Sequence, residues 1–259
     1  SVVVPNTDGR RGIDAAIAVG IVAGDADAEL QVIANVTEND AAAIQGYLDA
    51  TSIKVTCPET PCLLDIFLHG KREGHTAAVR VANNHTNIIY IEKDGEVLLE
   101  KPVTANAEDN LQDKSVLNVK DILTFVETVP LSAIEPIIGR QIACNTAIAE
   151  EGLKNSWGAN IGSTLLQRSD DIETQARAWA AAGSDARMNG CEMSVVICSG
   201  SGNQGITASV PVWRYGKLMG ADDEKILRAV CLSDLITIHQ KTGIGRLSAY
   251  CGAVSAGVG

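Results

Sequence analysis

Residues 191–205, Cys-Glu-Met-Ser-Val-Val-Ile-Cys-Ser-Gly-Ser-Gly-Asn-Gln-Gly, decide the fold class. An apolar run gives way to a polar loop in which Gly200, Gly202 and Gly205 fall within six residues, and an apolar-periodic helical pattern follows from Ile206. Glycines let the backbone turn sharply and approach a bound group closely. The first N–H groups of the following helix point back at the loop, so an anion can sit there. The same glycines satisfy G-x-G-x-x-G, and a dinucleotide turn would make the chain a doubly wound parallel α/β protein. That reading needs a strand before the loop and a second parallel strand ending in an acidic residue about 20 positions on. Residues 195–197 can supply the first strand. Asp222 and Asp223, however, open another helical pattern, no second strand is visible, and Pro211 removes a donor from the second turn of the supposed phosphate helix. The dinucleotide match is weak beside two other readings, a loop for a small anion and a plain glycine-rich turn joining core helices.

Upstream of this stretch the periodicity is mixed. Residues 1–5 read as a strand ended by Pro5, residues 13–24 and 27–34 as helices, and Asn39-Asp40 as the cap of a third helix over 41–50. Short strands follow at 53–56, 63–69, 76–82 and 87–92, and Lys93-Asp94-Gly95 turns the chain into a return strand at 96–100. From residue 119 onward strand signals fade. Helical patterns cover 119–128, 132–154, 158–168, 171–182, 206–219, 222–241 and 246 to the end. The expected fold is α+β: an N-terminal antiparallel sheet with helices, then an all-helical C-terminal half. The expected domains are 1–125, carrying the short sheet, and 126–259, a helical catalytic-type domain truncated at its C-terminus.

Of 259 residues, 46% are hydrophobic and only 3% aromatic, so the core must be built from small side chains on closely packed elements. A net charge of −11 without any basic run argues against a nucleic-acid groove. No run of about 18 uncharged apolar residues and no charged-then-apolar leader is present, which points to a cytoplasmic protein that does not engage a membrane. Seven cysteines, at 57, 62, 144, 191, 198, 231 and 251, are odd in number and scattered, which suits reduced thiols. Cys57 and Cys62 bracket Pro-Glu-Thr-Pro, a rigid turn, and no zinc spacing occurs. The chain opens directly in an apolar strand and stops inside an Ala/Gly-rich helical pattern, so it reads as a fragment lacking both ends.

Three further segments combine with the glycine loop: Asn83-Asn84-His85-Thr86-Asn87-Ile88, Ser184-Asp185-Ala186-Arg187-Met188-Asn189-Gly190, and Arg246-Leu247-Ser248-Ala249-Tyr250-Cys251. In this order, together with Gly220-Ala221-Asp222-Asp223-Glu224, they resemble the motifs of the L-cysteine desulfidase family, a relative of the iron-sulfur L-serine dehydratase alpha chain. The resemblance covers essentially the whole chain. It implies β-elimination from L-cysteine to sulfide and aminoacrylate, the latter hydrolysing to pyruvate and ammonia.

It also implies a 4Fe-4S cluster held by three cysteines in the full-length family member. Only one of those three, Cys251, falls within this chain, so the cluster is expected to be absent from the chain alone. His85 is the candidate base for the α-proton, against a reading as a strand-end histidine bonded to backbone. The loop residues Ser199, Gly200, Ser201, Gly202, Asn203 and Gln204, with Asn87 and Arg187, are the candidate substrate-binding set, the loop holding the carboxylate by backbone N–H groups and the Asn203 amide. For Asp185 and Arg187 an ion pair that fixes their segment is the expected role. His69, His75 and His239 are assigned no chemistry, and Cys191 and Cys198 are read as packing residues. L-serine is the near alternative substrate. A catalytically inactive small-anion-binding module or truncated paralogue is the alternative of a different class. The expected partner is a small amino acid, not nucleic acid or membrane, with a homodimer left open.

Overall fold

Two Xaa-Gly pairs set the sheet. Glu73-Gly74 (φ 52° and 89°) and Asp94-Gly95 (φ 53° and 84°) take the left-handed conformations that a two-residue hairpin requires. They join β1 (Asp65–Arg72) to β2 (His75–Ala82) and β3 (Ile88–Lys93) to β4 (Glu96–Glu100), giving a four-stranded antiparallel sheet in the order β1-β2-β3-β4. In this computed structural model, residues 3–103, 113–245 and 250–258 are described. They fall into two units, one of residues 13–113 and one of residues 1–12 with 114–259.

In the sheet unit, α1 (Gly12–Ala23) and α2 (Ala41–Ala50) precede the strands. Cys62, Ala82 and Ile89 form a small buried cluster. Asp94 accepts from the Thr76 backbone N at 2.8 Å and meets the His75 ring at 3.0 Å, which ties the second hairpin back to β2. Arg80 holds Asp65 by two bonds, Nε to Oδ1 at 2.8 Å and Nη2 to Oδ2 at 2.6 Å, and the guanidinium lowers that carboxyl to about 2.

Three sequence expectations fail here for local reasons. Residues 53–56 form no strand, because Pro58 and Pro61 close behind them deny a ladder its donors. Over 27–34 there is a 3-10 helix, Ala26–Gln31, broken by Glu29 at φ 49°. Of the strand at 1–5, Val3 makes a single bridge to Arg11, and residues 1 and 2 lie outside the described residues.

The other unit contains, among the described residues, only helices as regular elements: α3 (Val119–Thr128), α4 (Leu131–Lys154), α5 (Ile161–Arg168), α6 (Ile172–Met188), α7 (Gly202–Leu218), α8 (Asp223–Thr242) and α9 (Gly252–Val258). Four of them start with a side chain accepting from the N–H three residues on: Asn118 from Asp121, Asp171 from Thr174, Ser201 from Gln204 and Asp222 from Lys225. One core cluster joins Val126, Ile134, Ile138, Ile226 and Val230. A second joins Ile148, Ala149, Ala180, Ala186, Ile206 and Val210, the small-residue packing that the composition demands. α3 and α4 meet at 104° across Val129-Pro130. Among the described residues no single helix is long and apolar enough to cross a membrane.

Two boundaries matter for the site. The sequence reading ends α6 at 182 and makes 184–190 a loop, whereas α6 runs six residues further. Ala182, Gly183 and Ala186 are buried, so tertiary packing carries the helix through the polar segment. The helix ends ahead of Gly190, φ 92°, where Cys191 N bonds Ala186 O and Gly190 N bonds Arg187 O, a Schellman end. The second boundary is the start of α7, at Gly202 instead of Ile206, because Ser201 caps it.

Candidate functional site

The glycine loop is narrower than its sequence suggests. Ser199 (φ 46°) and Gly200 (φ 87°) form a tight turn, closed by two backbone bonds between Cys198 and Ser201 at 3.2 Å each. Ser201 then caps α7, its hydroxyl accepting from Gln204 N at 3.3 Å, and its carbonyl takes Gly205 N at 3.1 Å. Helix geometry leaves the N–H groups of Gly202 and Asn203 without an intrahelical acceptor. They carry the positive end of a 17-residue helix.

The loop is anchored from behind. Residues 191–197 are not a strand; the fully buried Asn145 of α4 takes the place of a neighbouring strand. It accepts from Val196 N at 2.8 Å and donates to Val196 O at 3.1 Å. Gly205 packs so closely on this segment that a Cβ there would overlap the Val196 carbonyl oxygen, hence the glycine. With no strand before the loop and no parallel sheet among the described residues, the dinucleotide reading lacks its scaffold.

Arg187, in the last turn of α6, lies across the opening of α7. Its Nη1 donates to Asn203 Oδ1 at 3.1 Å, and a Cβ on Gly202 would collide with its guanidinium. The side chain is half-buried, and desolvation lowers its pKa from the ordinary value. The expected ion pair with Asp185 does not form. Asp185 points the other way, its Oδ2 accepting from Ile161 N at 2.9 Å, because α5 starts at Asn160 without a side-chain cap of its own. Among the described residues no carboxylate is paired with Arg187. A desolvated guanidinium, unpaired among the described residues, beside two helix N–H groups that have no intrahelical acceptor can receive a small carboxylate. Replacing Asp185 by alanine should cost about 1 kcal/mol, as for other helix caps, and should leave ligand affinity at the loop unchanged. Urea denaturation and calorimetry on one sample check both halves.

Two of the other expected site residues belong to the sheet unit. His85 is exposed in the β2–β3 turn of the sheet unit. Asn87, in the same turn, donates its amide to Ala82 O at 2.9 Å, a turn-closing bond. Gln204 is not on the loop surface. It is fully buried in the first turn of α7, with no hydrogen-bond partner for Nε2 or Oε1 among the described residues. The Cys198 thiol lies close enough to feel that amide, without hydrogen-bond geometry.

Cys251 is exposed just before α9, and residues 246–249 of its motif lie outside the described residues. Among the described residues no three His, Cys, Asp or Glu side chains gather as a metal site. Cys251 supplies one thiolate, fewer than a 4Fe-4S cluster takes. Sequence reasoning missed Asn145, Gln141, Ser209 and Asp234, buried polar groups behind the loop. Their helical spacing inside apolar runs was the available signal.

The start of α7, crossed by the Arg187 side chain, lies in an all-helical unit. The chain belongs to the serine dehydratase alpha chain family, whose family model matches residues 27–259. It is 48% identical over 260 residues to a UPF0597 protein of Lachnoclostridium phytofermentans, covering 100% of this chain and 62% of that protein. It is 44% identical to one of Desulfitobacterium hafniense, covering 100% and 60%. With the UPF0597 protein YhaM of Salmonella choleraesuis it shares 38% identity, covering 100% and 61%. The chain thus spans about three fifths of the length of these relatives. No solved structure matches it.

Proposed function

We propose that the chain provides the substrate-carboxylate site of a serine dehydratase-like ammonia-lyase, with L-cysteine as the preferred substrate and L-serine as the near alternative. The observation that supports this best is the half-buried Arg187 guanidinium, unpaired with any carboxylate among the described residues, over the free N–H groups of α7. Family membership supplies the lyase reading. The reaction removes the α-proton and expels the β-substituent. From L-cysteine this gives sulfide and aminoacrylate, which takes up water to yield pyruvate and ammonia.

In that scheme Arg187, the Gly202 and Asn203 N–H groups and the Asn203 amide hold the carboxylate, which orients Cα and the β-substituent. His85 is the proposed base, on the resemblance rather than on geometry. A 4Fe-4S cluster, which the resemblance implies, would need ligands beyond Cys251. The wider desulfidase-like motif set favours cysteine over serine. The anaerobically reconstituted full-length protein should release sulfide from L-cysteine faster than pyruvate from L-serine at saturating substrate. A serine preference would move the assignment to L-serine dehydratase, and no turnover of either would favour a small-anion-binding module.

A further inference from the structure

Behind the glycine loop lies a buried polar chain that the carboxylate reading does not use. Gln141 of α4, 2% exposed, donates through Nε2 to Asp234 Oδ1 of α8 at 3.0 Å and to Gly205 O at 3.4 Å. The Ser209 hydroxyl donates to the same Gly205 carbonyl at 2.7 Å, and Asn145 Nδ2 donates to Ser209 Oγ at 3.1 Å. At the other end of the loop the Cys198 thiol sits 3.9 Å from Asp234 O. Both ends of residues 198–205 are therefore tied to one turn of α8, and Asp234 is the charged group in that tie.

We propose that Asp234 is a positioning residue for the glycine loop: through Gln141 it fixes the Gly205 carbonyl, and through its own helical turn the Cys198 thiol. The free N–H groups of Gly202 and Asn203 thereby keep their aim. This deepens the carboxylate reading and rests on it for its purpose.

The physical case is one of satisfaction under burial. Gln141 and Gly205 O have no access to water, so a lost acceptor at 234 leaves an amide unpaired and the loop carbonyl less firmly held. Asp234 is itself buried, and desolvation raises its carboxyl to about 6 against the lowering by Gln141 and Cys198. Among the described residues two titratable groups face it, the Cys198 thiol of the loop and the Cys231 thiol one turn back on α8. Burial and the Asp234 charge push both upward, so both stay neutral. α4 presents Gln141, while α9 carries no ionisable side chain. Lys241 lies two turns on along α8 and is buried. Among the described residues at this tie, Asp234 is therefore the group whose ionisation the loop would sense near pH 6.

Amide NMR on the 259-residue chain tests this without any ligand. In the wild type the amide resonances of Gly202, Asn203 and Ile206 should shift with one midpoint near 6, the value burial gives Asp234. In Asp234→Asn, which keeps an acceptor for Gln141, they should hold near one wild-type limit with no titration. In Asp234→Ala they should move away from both limits at every pH. Wild-type resonances that do not titrate, a titration that survives in Asp234→Asn, or loop amides of a folded Asp234→Ala that keep their wild-type positions would each overturn the proposal. Should Asp234→Ala fail to fold, the wild-type and Asn titrations decide alone. Adding L-serine separates the two readings: loop resonances that titrate with Asp234 but ignore the amino acid would sink the carboxylate site and leave the positioning role standing.

Discussion

Arg187→Ala should weaken binding of L-cysteine or L-serine about 10- to 100-fold, and Gly202→Val should do at least as much. A hydrogen bond to a charged group contributes about 1.5 to 3 kcal/mol, which sets that range. Arg187 needs no counter-charge of its own in the fold, because its only described hydrogen bonds go to Asn203 Oδ1 and Met188 Sδ. Its removal therefore leaves no buried carboxylate unpaired. Gly202→Val acts differently: the new side chain occupies the space where the guanidinium lies and covers the two free N–H groups. Arg187→Lys should rescue only part of the loss, since an ammonium lacks the planar fork that meets a carboxylate with two bonds. Asn203→Ala should be mild, about tenfold at most, because one neutral hydrogen bond contributes about 0.5 to 1.5 kcal/mol. Isothermal calorimetry on folded variants checks the order. Near-wild-type affinity in Arg187→Ala would remove the carboxylate site from this helix end.

The sheet was legible because its signals are local. Asp94-Gly95 supplies both positive φ values of a hairpin, and the runs Ile88–Ile91 and Val97–Leu99 beside it are short, apolar and rich in strand-forming residues. Asp222 as the cap of α8 was equally readable. The misplaced boundaries share one cause, that burial overrides a polar surface in the sequence. Residues 184–188 look like a loop by composition, yet Ala182, Gly183 and Ala186 bury one face and the helix continues. That extension carries Arg187 across the start of α7. The Asp185–Arg187 pair failed for a related reason: residues two apart on a helix do not face each other, so a helical segment rules out the bond that a loop would allow. Ser201 was a readable cap, and recognising it would have started α7 at Gly202 and placed Gln204 inside the core. The anchoring of the loop by Asn145 and Gln141 was not legible, because those bonds span 51 to 93 positions in sequence.

Asp234→Asn should stabilise the chain above pH 6, by up to about 3 kcal/mol, and remove most of the difference in stability between pH 5 and pH 7.5. Burial raises the carboxyl of Asp234 from 3.8 to about 6, so between those values the folded protein keeps a proton that the unfolded chain has released. The stability contributed by that proton is fully present below about pH 4 and is lost as pH rises through about 6. Roughly two pKa units at about 1.4 kcal/mol each give the expected size. Asparagine cannot ionise and still offers Oδ1 to Gln141, so it escapes the penalty while keeping the bond. The exposed Asp171 and the paired Asp65, both lowered to about 2, act in the opposite sense in acid. They are common to wild type and variant, so the difference between the two curves isolates residue 234. Urea denaturation at half-unit steps from pH 4 to 8 should show curves that diverge from about pH 4 upward and reach their full separation above about 6. Parallel curves would mean that Asp234 is solvated in the folded protein, and its tie to the glycine loop would go with its burial.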